Sequence, residues 1–186
     1  MLAVIAGIPG AGKTTVVTKA LEKVERKYQL VTYGTVMFEI ASARGLVKDR
    51  DEMRKLPQDV QKDVQKKAAE KIHDMAKKAD VILDTHCTIK TPRGFISGLP
   101  LRILEKLEPD LFVLVETDPK EIIMRREGDK SRVRDAETAE DLQVHQDINR
   151  MAEASYSVIS GAAIGFIQNR QGRLEMAADE LAAILK

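Results

Sequence analysis

Short apolar runs alternate along the chain with longer stretches in which apolar residues recur every third or fourth position. The runs LAVIA (2–6), QLVTY (29–33), VILD (81–84), LFVLVE (111–116) and IGFIQ (164–168) are too short for helices and almost free of charge, which predicts parallel strands buried on both faces. Helical spacing fills the intervals. Val17, Ala20, Leu21 and Val24 fall on one face, and Val60, Val64, Ala68, Ile72 and Ala76 form an i+4 ladder in a charged helix over 57–79 that opens at Pro57. Asp118 and Glu121 read as a capping box at the head of a third helix. A fourth helix is expected from about Thr138 to Ser160, with Leu142, Ile148, Met151, Ala152 and Ile159 as its apolar positions. A last helix pairs Leu174, Ala178, Leu181 and Leu185. The alternation predicts an α/β fold, a five-stranded parallel sheet with helices on both faces, in a single domain over 1–186.

Two polar stretches break the rhythm. Residues 85–98 (THCTIKTPRGFISG) follow a strand, and loops at the carboxyl ends of parallel strands are where α/β proteins hold ligands. Residues 128–137 (GDKSRVRDAE) interrupt two helices, the place a short lid would occupy.

Composition narrows the partners. With 30 basic against 29 acidic residues the net charge is +1, so an anion site must be local and a general nucleic-acid surface is not expected. No apolar run approaches a membrane span, and the opening MLAVIAG lacks the basic start and cleavage site of a signal peptide. The sole cysteine, Cys87, excludes an internal disulfide, suits a reducing cytoplasm and reads as packing. The methionines read as core filler, His73 as solvated and His145 as structural or surface.

The chemistry begins at GIPGAGKTT. Gly7, Ile8, Pro9, Gly10, Ala11, Gly12, Lys13 and Thr14 match G-x-x-x-x-G-K-[ST], placed between a predicted strand and a predicted helix as a phosphate loop requires. The glycines let the backbone aim its N–H groups inward, Lys13 reaches the outer phosphates, and the Thr14 hydroxyl suits Mg²⁺. VILD closes on Asp84, an acid at a strand end where it could sit near the same metal. Taken alone, that residue reads equally as a solvated strand-end acid or a helix cap, and the phosphate loop favours the metal role. Arg54, Arg93, Arg125, Arg126, Arg132, Arg134 and Arg150 supply guanidinium groups that bind phosphate and spread charge, with Arg132 and Arg134 alternating in the lid stretch. No G-protein base-reading pattern is present and no residue stands out as a general base, which fits an acceptor that is itself a phosphate. Asp84 could still serve an acceptor hydroxyl, and His86 could contact the acceptor.

The segments GIPGAGKTT, YGTVMFEIA, DRDEMRKL, VILDTHCTIKTPRGFISGLP, VETDPKEIIMRREGD with SRVRD, and HQDINRMAEASYSVISGA together resemble the archaeal type of adenylate kinase over essentially the whole chain. The resemblance implies a P-loop kinase fold, a cytoplasmic enzyme interconverting MgATP and AMP with ADP, and a homotrimer. It places ATP phosphates on Gly10 to Thr15, with Thr15 closing the loop, and the ATP adenine near Asn169 and Arg170. AMP falls beside Thr35, Arg54 and the 85–93 loop (Thr85, His86, Arg93), in an acceptor part over about 35–79. Arg126, Arg132 and Arg134 become transfer-site arginines of a short lid over about 126–137. The chain departs from the D-G-[FY]-P-R motif of bacterial and eukaryotic relatives, so the arginine of that motif maps onto Arg93 with altered spacing from Asp84. The lid has no cysteine quartet, and no structural zinc is expected. Two other readings stand beside this one: a kinase for another nucleoside monophosphate or small acceptor, and a nucleotide-dependent switch or ATPase.

Overall fold

A computed structural model describes residues 1–128 and 137–186. In chain order the elements are β1 (Leu2–Ala6), α1 (Lys13–Leu21), β2 (Tyr28–Thr32), α2 (Tyr33–Ala43), a 3-10 turn (Asp51–Lys55), α3 (Gln58–Ala76), β3 (Asp80–Asp84), β4 (Thr88–Thr91), β5 (Gly94–Ser97), α4 (Leu101–Leu107), β6 (Leu111–Glu116), α5 (Pro119–Gly128), α6 (Ala139–Ser160), β7 (Ala163–Gln168) and α7 (Leu174–Leu185). The five expected strands form one parallel sheet in the order β2-β3-β1-β6-β7. LAVIA and LFVLVE are buried at every position because strands flank them on both sides and helices cover both faces. The outer strands differ from the expectation of two-sided burial: Leu30 on β2 and Phe166 on β7 are about half exposed, since an edge strand is covered less.

Alternation along each strand divides the core. Val4, Leu83, Phe112 and Leu114 face α2, α3, α4 and α6, while Ala3, Ile5, Val113 and Val115 face α1 and α7. The ladder of α3 is realised: Val64, Ala68 and Ile72 are buried, with Val60 and Ala76 at its margins. Ala178, Leu181 and Leu185 seat α7 against the α1 face.

Several expectations give way. The stretch 85–98 is not a loop throughout; it folds as an antiparallel hairpin, Thr88 opposite Ser97 and Thr91 opposite Gly94. Helices α2 and α4 were hidden, the first by its run-on from β2 and the second by its seven-residue length. Asp118 does cap α5 by accepting from the Lys120 N–H, but Glu121 completes no box and instead accepts from the Gln171 N–H. The capping box belongs to α6, between Thr138 and Asp141.

Helix α6 also turns a different face inward. Leu142, His145, Gln146, Asn149, Glu153 and Tyr156 are buried, whereas Met151, Val158 and Ile159 are exposed. The inward face is polar because it packs on the ends of strands and on the hairpin, whose backbone groups need partners. Asn149 accepts from the Thr88 hydroxyl at 2.5 Å, and Gln146 accepts from the Thr117 N–H at 3.2 Å. The Tyr156 hydroxyl donates to the Cys87 carbonyl at 2.7 Å. Cys87 is packing, as expected. Three methionines are not core filler: Met124, Met151 and Met176 are exposed. His73 is half-buried rather than solvated, with Nδ1 3.2 Å from the Leu107 carbonyl. No helix among the described residues is long and apolar enough to cross a membrane.

Candidate active site

The loop between β1 and α1 carries the phosphate-loop sequence at the carboxyl edge of the central strand. Gly7, Gly10 and Gly12 all have positive φ. At Gly12, which caps α1 with φ 84°, a side chain would also collide with the Asn169 amide. The Ala11 N–H donates to the Ile8 carbonyl, and the Val16 N–H to the Gly12 carbonyl, so the turn closes directly into the helix. Helix α1 has no acidic residue in its first turn and no side-chain cap, leaving its positive end open to an anion. Thr14 and Thr15 are exposed at that end.

Distant residues clamp the loop from behind. The Ala11 carbonyl accepts from Asn169 Nδ2 at 2.8 Å, Thr117 Oγ1 at 3.1 Å and Arg125 Nη1 at 3.3 Å. Arg125 Nη2 donates to the Asn169 carbonyl as well, tying the chain after β7 to the same knot. Arg126 donates to the Pro9 carbonyl through Nε at 3.1 Å and Nη2 at 2.7 Å. Ile8 and Ala11 pack on Ile122 and Leu142, which fixes α5 over the loop.

Asp84 ends β3 opposite Ile5 of β1, one strand over from the loop. Its Oδ1 lies 2.9 Å from Lys13 Nζ. Strand order thus brings together a cation and an acid separated by seventy residues of sequence. His86 keeps surface open to solvent among close neighbours. Loss of hydration and then the charge of Lys13 lower its pKa, which favours the neutral ring. Among the described residues no group of three or more His, Cys, Asp or Glu side chains could hold a metal by itself.

The acceptor candidates are less tightly gathered. Thr35 lies in α2, just past β2, and accepts from Arg50 Nη2 at 2.5 Å. Arg54 is exposed in the 3-10 turn, and Arg93 is exposed at the turn of the hairpin. No described hydrogen bond or ion pair joins Arg54 or Arg93 to the phosphate loop. Thr85 follows Asp84 and donates its N–H to the Ile5 carbonyl. Arg132 and Arg134 lie outside the described residues.

Sequence reading placed Arg125 among the candidate arginines but gave it no part in the loop, and it overlooked Thr117 and Glu137. For Arg125 the i+4 spacing from Glu121 was the available signal, now seen as an ion pair at 3.3 Å. Arg150, also a candidate phosphate ligand, instead makes a two-pronged pair with the buried Glu116 at 2.7 and 2.6 Å.

Comparison with known proteins agrees with this geometry. Residues 6–143 match the AAA domain family. The chain is 48% identical to an adenylate kinase of Methanothermobacter thermautotrophicus over 98% of both chains, and 49% identical to one of Methanocaldococcus jannaschii over 98% of this chain and 97% of that one. Among solved structures, the shikimate kinases of Bacteroides thetaiotaomicron (13% identity, TM-score 0.57, 100% of this chain and 98% of that one) and Acinetobacter baumannii (15%, 0.56, 99% and 92%) share the fold. Sequence identity at this level over nearly the full length, on a phosphate loop with its acid in place, shows that the chain belongs to the archaeal-type adenylate kinases.

Proposed function

We propose that the protein transfers the terminal phosphate of MgATP to AMP, reversibly, giving two ADP. The contact that carries this reading is Lys13 Nζ on Asp84 at 2.9 Å, at the mouth of the glycine loop. In the absence of nucleotide the two side chains neutralise each other. Arriving phosphates take Lys13 as their counter-ion, and Asp84 is left to face the cation that accompanies them.

The residues fit Mg²⁺ as it comes with a nucleotide. The donor set is one carboxylate, Asp84, and one hydroxyl, Thr14, and Mg²⁺ keeps most of its shell as water and phosphate oxygens. Bound there, the ion would neutralise charge on the phosphate chain. This chain's own part is positional. The α1 N-terminus and loop amides hold the phosphates, Asn169 with Arg170 lies beside the donor base, and Arg126 stands over Pro9 close to the transferring group. AMP is assigned to the part over about 35–79 and the hairpin, with Thr35, Arg54, Thr85, His86 and Arg93 as its contacts. An ionised acceptor phosphate needs no general base.

A homotrimer follows from the family resemblance, and the apolar residues left open on α6, Val144, Met151, Val158 and Ile159, are a surface that assembly could cover. We place the enzyme in the cytoplasm, where its single buried thiol stays reduced.

Incubating the protein with MgATP and each of AMP, CMP, UMP and GMP, against an acceptor-free control, tests the assignment by chromatography of the products. AMP alone giving two ADP per ATP consumed supports it. Preference for another monophosphate overturns the acceptor, and equal phosphate release without any acceptor overturns the kinase reading.

A further inference from the structure

One carboxylate outside the phosphate loop touches both halves of the cleft. Glu137 stands immediately before the cap of α6 and is largely buried. Its Oε2 accepts from Arg126 Nη1 at 2.7 Å, and its Oε1 accepts from Lys90 Nζ at 3.0 Å. Arg126 spends its other donors on the Pro9 carbonyl of the phosphate loop. Lys90 belongs to β4, three residues before Arg93 in the hairpin, and also approaches Asp141 at 3.5 Å. The hairpin is otherwise held to α6 through Thr88 on Asn149 and through Phe95, whose ring lies 4.8 Å from that of His145. Burial works against ionisation of Glu137, but the hydrogen bonds from Arg126 and Lys90 outweigh it and keep the carboxyl below its ordinary range.

Each oxygen therefore serves a cation from a different side, Arg126 of α5, which holds the donor loop, and Lys90 of the acceptor hairpin. Resting on the adenylate kinase reading above, we propose that Glu137 is a positioning residue that couples donor and acceptor binding. A donor phosphate near Pro9 competes with Glu137 for Arg126, because both are anions seeking the same guanidinium. As Arg126 turns to the phosphate, the carboxylate falls wholly to Lys90 and holds the hairpin, with Arg93, in place for AMP. Donor occupancy then raises AMP affinity, and linkage requires AMP to raise donor affinity by the same factor.

Isothermal titration of AMP, alone and with saturating β,γ-methylene-ATP and Mg²⁺, measures this coupling as a ratio of two dissociation constants. Wild type should bind AMP at least about fivefold more tightly with the donor analogue present. Glu137→Gln should bring the ratio close to one, Lys90→Met should do the same, and the double variant should go no further. Glu137→Asp, which keeps the charge, should restore part of the ratio. A merely structural role for Glu137 would weaken AMP binding by the same factor in both titrations and leave the ratio unchanged, which would overturn the proposal. A wild-type ratio of one would also overturn it while leaving turnover with AMP, and hence the main assignment, intact. Absence of both AMP binding and AMP-dependent turnover in wild type would overturn the assignment and this coupling together.

Discussion

On the donor side a single carbonyl, that of Ala11, is gripped by Thr117, Arg125 and Asn169, and Pro9 is held by Arg126. On the side proposed for the acceptor, Arg54 and Arg93 project from a 3-10 turn and a hairpin tip with their side chains exposed. Ile8 and Ala11 of the donor loop are buried against α5 and α6, so the loop is held before phosphates arrive. Exposed side chains have conformational freedom to lose, so in the acceptor role proposed for Arg54 and Arg93 part of their binding energy would go into ordering them. The contrast teaches that one fold can pin a phosphate loop by its backbone carbonyls while leaving other arginines exposed.

The largest test of that contrast is Lys13→Ala. Removing the cation that the loop itself carries should lower kcat by roughly 10²–10³-fold, as loss of a preorganised charge does elsewhere, with the fold intact by circular dichroism. Unchanged turnover and nucleotide affinity would sink the phosphate-loop assignment.

Next in size is Glu153, buried under the hairpin on α6 with neither carboxylate oxygen partnered among the described residues. Burial, and then the charge of Glu116, raise its pKa from 4.5 to about 8. The folded state therefore holds this proton more tightly than the unfolded state does. Stability from this group is intact below the ordinary carboxyl range and is lost as pH climbs towards 8, at up to about 1.4 kcal/mol per pH unit. Glu153→Gln should flatten that loss, so its gain in Tm over wild type should be several degrees larger at pH 8 than at pH 5. Equal gains at both values would show that the folded protein does not hold this carboxyl above its ordinary range.

Arg54→Ala and Arg93→Ala sharpen the comparison from the acceptor side. Each should raise the KM for AMP by about tenfold, the worth of one charge-assisted hydrogen bond, with little change in the KM for ATP. An effect on ATP alone would move that arginine across the cleft. The smallest change is expected from Asn169→Ala, which takes one of several donors from the Ala11 carbonyl. Steady-state kinetics should show a severalfold higher KM for ATP, and denaturant titration a loss of about 1 kcal/mol. If the KM for AMP rose instead, the donor side would not be the self-contained unit its hydrogen bonds describe.

Much of this was legible beforehand because it is local. Period-two burial cannot show in strands covered on both faces, yet short apolar runs bounded by polar turns still marked all five. The glycine spacing of residues 7–12 carries its own backbone requirement, and the structure shows positive φ at each of those glycines. Periodicity failed where burial and polarity part company. The inward face of α6 is built from His145, Gln146, Asn149 and Glu153, so a search for apolar positions chose Met151 and Ile159 on the outside. It failed again for α4, too short to display a period, and for the hairpin, whose strands are four residues each.

The sequence by itself determined that the chain has a phosphate loop on a parallel sheet, with an acid closing a neighbouring strand. Those features are set by steric limits on glycine and by hydrophobic runs that each segment carries alone. Only the tertiary structure decided which partners the loop would have. Arg125 and Arg126 are adjacent in sequence, yet packing sends one to Ala11 and the other to Pro9 and Glu137. Asn169 reaches Ala11 across most of the chain because β7 ends beside β6, which ends beside β1. Side-chain contacts of that range depend on strand order and helix seating, and no spacing within one segment encodes them.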